Sequence, residues 1–203
     1  MEDINNGYEK NYQRLIANLK DFNFPQGERL GFKVSPNSAQ IKFLGRDYLL
    51  TESGVKALDG KDSKANNRSI LIHYLLSEGQ GDPGEEFLTL SQFPGVLRGR
   101  REPGRDILNG PIIDAYSSSG HEAFQARAQE LGGVYLGKSP SGGFLWLFKV
   151  FPKIYMQVDF LEASDEFPLE VRVLFDSRAQ EYLGFECLAF LNGSLIDALA
   201  GRD

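Results

Sequence analysis

The last third of the chain predicts an antiparallel β-sheet, because apolar residues occupy every second position in three successive runs. These runs cover 144–151, 154–161 and 169–175. A period of two puts alternate side chains on the same face of a strand, which is typical of a sheet that is half buried against a core. Trp146 keeps the register of Phe148, and we therefore expect its ring to face the helices of the core.

The first 50 residues predict a helix followed by a small meander of strands. Apolar residues recur at helical spacing over 8–22, and Pro25 ends the pattern. Three short alternating runs follow, at 30–34, 41–43 and 48–50. The next segment, 51–67, is polar and contains glycine, so we expect a long loop or linker there.

The central and C-terminal segments predict further helices. The run 70–76 is apolar on all sides and fits either a buried helix or a central strand; Ser69 as a candidate N-cap and the leucines at its end favour the helix. Ser119 and Glu122 form a capping-box pattern ahead of another helix. Asp176 is placed to begin a closing helix, whose leucines keep helical spacing at 188, 191, 195 and 199.

These elements predict one α+β domain that spans residues 1–203, with a helix-plus-meander subregion at 1–50. An antiparallel sheet, formed chiefly by 143–175, is expected to have helices packed mainly on one face. The composition, 41% hydrophobic and 25% charged, is that of an ordinary globular protein with a core of useful size.

Charge and cysteine content narrow the classes of partner and compartment. Lys and Arg number 22 against 28 Asp and Glu, and the formal charge of -6 argues against general nucleic-acid binding because it repels a phosphate backbone. Cys187 is the only cysteine, which excludes a disulfide or a cysteine-held metal site within one copy of the chain. No secretory signal and no apolar stretch of roughly 20 residues is present. We expect a soluble cytoplasmic protein without membrane contact, cofactor or metal.

Four arginines among glycines and prolines are the best local candidate for an anion site or partner contact. They are Arg98, Arg100, Arg101 and Arg105. Gly99 and Gly104 let backbone amides assist the guanidinium groups in binding an anion. The alternative is a solvated loop whose charges serve only solubility. The partner predicted by this segment is an unidentified protein or a small anionic ligand.

A second candidate site combines His73 with carboxylates around the last hairpin. The carboxylates are Asp159, Glu162, Asp165, Glu166, Glu170 and Asp176. If two of them converged with His73 in one pocket, the protein would be a hydrolase or a metal-assisted enzyme. Each residue also has a structural explanation, since the carboxylates fall at a turn, a strand face or a helix start and His73 lies in a core run. We therefore favour a non-catalytic accessory or binding domain.

The segment 132–139 matches a phosphate-binding loop, with two glycines followed by Lys138 and Ser139. The match follows a helix rather than a strand, and Pro140 stands where the next helix should begin. We therefore expect a helix stop and a hairpin connection. His121 lies just inside a predicted helix start and is expected to be exposed.

Several short motifs resemble those of a bacterial and archaeal family known as domain of unknown function 3786. They are the apolar run 70–76, Asp165-Glu166-Phe167-Pro168, Leu174-Phe175-Asp176 and Tyr182-Leu183. The likeness covers most of the chain and implies a stand-alone domain of a kind common in anaerobes. The family offers no established catalytic residues.

Some relatives in that family carry an added cysteine-rich iron–sulfur module, which this sequence does not contain. The resemblance thus implies an association with anaerobic metal or corrinoid metabolism by family likeness alone, and the missing module argues against an iron–sulfur role for this chain.

Overall fold

Two antiparallel sheets and a group of helices make up the α+β fold that the sequence predicts. The structure is a computed structural model that describes residues 2–94 and 109–202, with side chains from residue 7 onward. The α-helices are α1 (Glu2–Ile16), α2 (Ala65–Leu75), α3 (Gly110–Tyr116), α4 (Gly120–Glu130), α5 (Ala179–Tyr182) and α6 (Phe185–Leu199). Short 3₁₀ helices span Ala17–Leu19, Phe24–Leu30 and Leu90–Gln92.

The strands divide between a four-stranded and a five-stranded sheet. The small sheet contains, in order, β1 (Lys33–Ser35), β2 (Ser38–Phe43), β3 (Arg46–Thr51) and β4 (Gly54–Ala57). The large sheet has the order β5-β9-β8-β7-β6, built from β5 (Phe87–Thr89), β6 (Val134–Lys138), β7 (Phe144–Phe151), β8 (Ile154–Leu161) and β9 (Glu170–Asp176). The turn at Pro152 joins β7 to β8 at one end of the sheet, and the turn 162–168 joins β8 to β9 at the other.

The large sheet follows the alternation of the sequence. Trp146 lies opposite Val158, which lies opposite Val173, and all three side chains are buried on the face that the helices cover. The Trp146 ring meets Phe124 of α4 edge-on, with 6.2 Å between ring centroids. The prediction that Trp146 faces the helices is therefore confirmed.

Helix α6 lies in the middle of the helical layer and packs against α2, α3 and α4. The four leucines predicted from helical spacing, at 188, 191, 195 and 199, are all fully buried. Burial on several sides explains why this helix is apolar over most of its circumference.

Some local predictions in the first half of the chain were wrong. The segment 51–67 is not a continuous loop, because β4 pairs with β3 and completes the small sheet. The run 70–76 is helical, but α2 begins at Ala65, so Ser69 lies inside the helix and does not cap it. A 3₁₀ helix occupies Phe24–Leu30, and the first strand begins only at Lys33. Tertiary pairing and packing override weak local signals at these positions.

The start of α4 also differs from its prediction. Ser119 stands at the N-cap position, but its side chain makes no capping bond and donates to the carbonyl of Ala115 at 3.4 Å. His121 is buried rather than exposed, with 7% of its surface accessible.

Within the described ranges, no helix is long and apolar enough to cross a membrane.

We predict that Trp146→Ala lowers the free energy of unfolding by about 3–5 kcal/mol, because it removes buried area and leaves a cavity. Urea denaturation followed by far-ultraviolet circular dichroism measures this without the lost fluorophore. Leu147→Ala, on the other face of the same strand, is the control and should cost less. Equal denaturation midpoints for the wild type and Trp146→Ala would contradict the prediction.

Candidate functional site

The predicted arginine site falls outside the described residues. Arg98, Arg100, Arg101 and Arg105 belong to the segment 95–108. Their role in binding an anion or partner stays a prediction.

Asp176 is a structural residue at the junction of β8, β9 and α5. Its carboxylate is fully buried and accepts backbone N–H bonds from Tyr155 at 2.8 Å, Gly84 at 3.0 Å and Arg178 at 3.0 Å. Three amide donors occupy most of the acceptor positions of this group. Asp176 thereby fixes two loops and leaves little capacity for acid or base chemistry.

Asp165 and Glu166 lie far from Asp176. Both are exposed in the turn 162–168, at the opposite end of β9. Seven residues of strand separate the two ends, which corresponds to about 20 Å at roughly 3.3 Å per residue. The structure therefore does not bring these predicted site residues together.

Asp159 is 5% exposed and lies on the face of the large sheet opposite the helices. One carboxylate oxygen accepts a bond from Ser141 Oγ at 2.8 Å, and the other has no hydrogen-bond partner within the described structure. That second oxygen rests against Gly143, where there is no room for a Cβ. The contact explains why glycine occupies position 143.

The convergence that would favour an enzyme is absent from the described part of the chain. No three residues among its His, Cys, Asp and Glu lie close enough to hold a metal ion. His73 lies half buried on α2, and desolvation lowers its pKa. Glu162 accepts the backbone N–H of His121 at 2.9 Å.

His121 is part of an aromatic cluster and not a free base. Its ring stacks on Phe144 with 3.5 Å between centroids, and Nε2 accepts the Nε1–H of Trp146 at 3.1 Å. Burial lowers the pKa of His121 most strongly; nearby Lys138 lowers it further, while Glu162 opposes both effects. The imidazole is thus held neutral with its Nε2 lone pair in use.

The segment that resembles a phosphate-binding loop is a helix stop and a strand. The N–H groups of Gly132 and Gly133 donate to the carbonyls of Gln129 and Ala128 and end α4. Lys138 does not point into a nest of amides, since its Nζ lies 3.2 Å from the centroid of the Phe144 ring. The local geometry is that of a hairpin.

One cleft, of about 670 Å³, lies beside the loop 77–86 between α2 and β5. Arg29 donates to the carbonyls of Ser77 and Gly79, the latter at 2.7 Å. Lys153 pairs with Asp82 at 2.7 Å, which lowers the pKa of that carboxyl.

The other side of the same loop is held from α5. Arg178 donates to the carbonyl of Gln80 at 2.9 Å and pairs with Glu181 at 2.8 Å, and the hydroxyl of Tyr182 donates to the carbonyl of Gly81 at 2.7 Å. The cations around this cleft are therefore committed to holding the loop, and they are poorly available to a ligand.

A second cavity, the inter-sheet groove, lies where β2 of the small sheet approaches the end of β7 and the end of α4. Its volume is about 470 Å³. Apolar side chains form the floor and one wall: Ile41, Leu44, Leu131, Phe148, Val150 and Pro152. This composition and size are usual for sites that bind a small organic molecule.

Three lysines line the inter-sheet groove. Lys33 and Lys42 come from the small sheet and Lys149 from the large sheet, and all three are exposed. Within the described residues none of them forms an ion pair; Lys149 only lies over the ring of Tyr155 at 5.2 Å. Asp47, opposite Lys42 in the β2–β3 register, is the carboxylate among the described lining residues. The groove is therefore positive in a protein of formal charge -6.

Leu44 supplies part of the groove wall from a strained conformation. It has a φ of 46°, and Gly45 beside it has a φ of 81°, so the two residues form the tight turn between β2 and β3. A left-handed conformation is uncommon for leucine and favours Asn, Asp or Gly. Local strain that places an apolar side chain in a cavity wall is typical of functional positions.

Sequence reasoning missed the inter-sheet groove. Lys33, Lys42 and Lys149 lie in separate, ordinary strands, and no spacing in the sequence links them. Leu44 is the residue that could have indicated the groove from the sequence, because Leu-Gly is an unusual pair for a two-residue hairpin turn.

The chain matches a known protein family. A family described as Domain of unknown function (DUF3786) matches residues 26–198. No curated protein and no solved structure matches the chain.

If Asp176 is structural, Asp176→Ala should lower the free energy of unfolding by about 3 kcal/mol or more, since three N–H groups lose their acceptor. Asp176→Asn keeps one acceptor oxygen and should show a smaller loss. Asp165→Asn, on the exposed turn, is the control and should stay within about 0.5 kcal/mol of the wild type in the same urea titration. A wild-type denaturation midpoint for Asp176→Ala would show that this network is dispensable.

Mild acid should destabilise the protein through its two histidines. Burial lowers the pKa of His73 and His121 in the folded state, so the unfolded chain takes up protons first as the pH falls. Their contribution is complete above about pH 6.5 and is lost as the pH approaches the lowered folded-state values. The bond with Arg46 lowers the pKa of Asp59 to about 2. The contribution of Asp59 to stability is therefore lost only in stronger acid.

The measurement is the urea midpoint at about pH 7.5 and about pH 5.5, which brackets the ordinary pKa of histidine. His121→Gln can still accept the bond from Trp146 and should show a smaller decrease between the two pH values. Identical midpoints at both pH values in the wild type would refute the assignment of buried neutral histidines.

Proposed function

Because the chain belongs to the DUF3786 family, whose description names no activity, we propose from the geometry that it is a non-catalytic binding module. The inter-sheet groove is its binding site. The ligand has an apolar body, which the floor receives, and an anionic end, which the lysines receive. The proposal includes a cytoplasmic location, which the single cysteine supports.

The observation that carries the proposal is the availability of the groove cations. At the loop cleft, Arg29, Lys153 and Arg178 are each engaged by carbonyls or carboxylates of the chain itself. At the groove, the lysines have no ion-pair partner among the described residues and stand beside an apolar floor. An anion bound there gains attraction without first displacing an internal partner.

The non-catalytic part of the proposal rests on how the polar side chains are used. Three backbone amides occupy most of the acceptor positions of Asp176, and the Nε2 lone pair of His121 is occupied by Trp146. Burial raises the pKa of the Cys187 thiol to about 11, so it is protonated near neutral pH and a weak nucleophile. None of these residues lines the inter-sheet groove.

Two fluorescent probes that share an aromatic body test the proposal. Anilinonaphthalene sulfonate carries an anionic group, and N-phenylnaphthylamine does not. We predict that the sulfonate probe binds more tightly and that the triple variant Lys33→Gln, Lys42→Gln, Lys149→Gln weakens it about tenfold or more, equal to about 1.4 kcal/mol. Binding of the neutral probe should change little.

A matched control removes three charges elsewhere. Lys10→Gln, Lys20→Gln, Lys61→Gln alters exposed lysines outside the groove and should leave both probes unaffected. Leu44→Asn tests the apolar wall: it should keep or raise stability, since Asn-Gly suits this turn, and weaken both probes. Equal loss of sulfonate binding in both triple variants would attribute the effect to net charge and defeat the proposal.

A further inference from the structure

Phe167 is the most exposed large hydrophobic residue of the described structure, with 67% of its surface accessible. It lies in the turn 162–168 beside the carboxylates Asp165 and Glu166, which form no ion pair with another described residue. Phe167 directly follows the two carboxylates, so this turn presents an exposed aromatic side chain beside two negative charges. Buried aromatic side chains are common anchor residues of protein interfaces.

The turn that carries Phe167 is internally ordered. The Oγ of Ser164 accepts the N–H of Phe167 at 3.2 Å, and the N–H of Ser164 donates to the carbonyl of Phe167 at 2.8 Å. Both ends are anchored, since Glu162 bonds to the amide of His121 and Leu169 is buried. A preorganised turn loses less entropy when it binds. We name the residues 164–167 the acidic hook.

The acidic hook complements the inter-sheet groove in apolar character and in charge. The hook offers one apolar side chain and two carboxylates, whereas the groove offers an apolar floor and three lysines. A cavity of about 470 Å³ has room for a phenylalanine side chain. Complementary charges steer association and fix its register.

The hook cannot reach the groove of its own molecule. The groove lies at the Pro152 end of β8, and the hook follows Leu161 at the other end. The eight residues of β8 separate the two ends by about 25 Å at roughly 3.3 Å per residue. Contact between hook and groove therefore requires two molecules.

We propose that the acidic hook of one copy of this chain binds in the inter-sheet groove of a second copy, so that the protein associates head to tail. The inference rests on the proposed function, because it names a partner for the same groove. Hook and groove are different surfaces, so the contact is heterologous and each added copy presents a new free site. The product is an open chain or a closed ring, and the formal charge of -6 on each copy limits its length.

Sedimentation velocity across a concentration series tests the proposal on the full chain. At about 0.1 M salt, where repulsion beyond about 10 Å is screened, the wild type should form species larger than a dimer, and higher salt should weaken them. Two variants should each be monomeric alone. One is Phe167→Ser, which lacks the aromatic side chain of the hook, and the other is the triple groove variant Lys33→Gln, Lys42→Gln, Lys149→Gln.

Mixing the two variants is the decisive experiment. Phe167→Ser keeps an intact groove and the triple groove variant keeps an intact hook, so the mixture should give a 1:1 complex and nothing larger. Leu136→Ser, another exposed apolar residue, should associate like the wild type. Circular dichroism checks that every variant is folded.

Three outcomes would overturn the inference: a wild type that stays monomeric throughout, association that persists in either variant alone, or a mixture that grows beyond one copy of each. Probe binding distinguishes failure of the head-to-tail contact from failure of the proposed function. If the wild type is monomeric and yet the groove binds anilinonaphthalene sulfonate, the groove is a small-molecule site and only the head-to-tail contact is wrong. If association occurs as described, an excess of the same probe should dissociate it.

Discussion

The stack of aromatic rings around Phe151 is the contact on which the arrangement of the two sheets depends. Phe151 ends β7 and stacks on Phe43 of the small sheet at 5.0 Å and on Tyr74 of α2 at 4.1 Å between centroids. The hydroxyl of Tyr74 donates to the carbonyl of Leu30 and accepts the N–H of Lys153. One buried cluster thus fixes the small sheet, α2 and the β7–β8 turn together, and the inter-sheet groove lies beside it.

The two cavities differ in what their cations do, and this difference decides which of them is the better candidate site. Around the loop 77–86, arginine and lysine side chains donate hydrogen bonds to backbone carbonyls and pair with the carboxylates of Asp82 and Glu181, so they are engaged in holding the fold. In the inter-sheet groove, Lys33 and Lys42 have paired backbones and Lys149 lies in an irregular part of the β7–β8 ladder, and none of the three forms an ion pair with a described residue, so their charge is available. Cavity size alone would have pointed to the larger cleft, whose chemistry is structural.

The motifs that carry the family resemblance fall into two groups, one with a structural role and one that is exposed. Tyr74 in the run 70–76 holds the β7–β8 turn, while Asp176 and Tyr182 bond to the loop 77–86 at Gly84 and Gly81. These motifs therefore describe one structural junction. The motif around Phe167 takes no part in it and projects from the far end of the large sheet, which is why we assign it to recognition.

The sequence by itself determined the elements whose burial is periodic. The strands of the large sheet, the inward position of Trp146 and the leucine face of α6 follow from local spacing, because each strand or helix repeats its own contact with the core. Only the tertiary structure decided the burial of His121, which depends on Phe144 and Trp146. It also decided the groove, because the lysines at 33, 42 and 149 come together only when two sheets meet, and packing between distant segments leaves no period in the sequence.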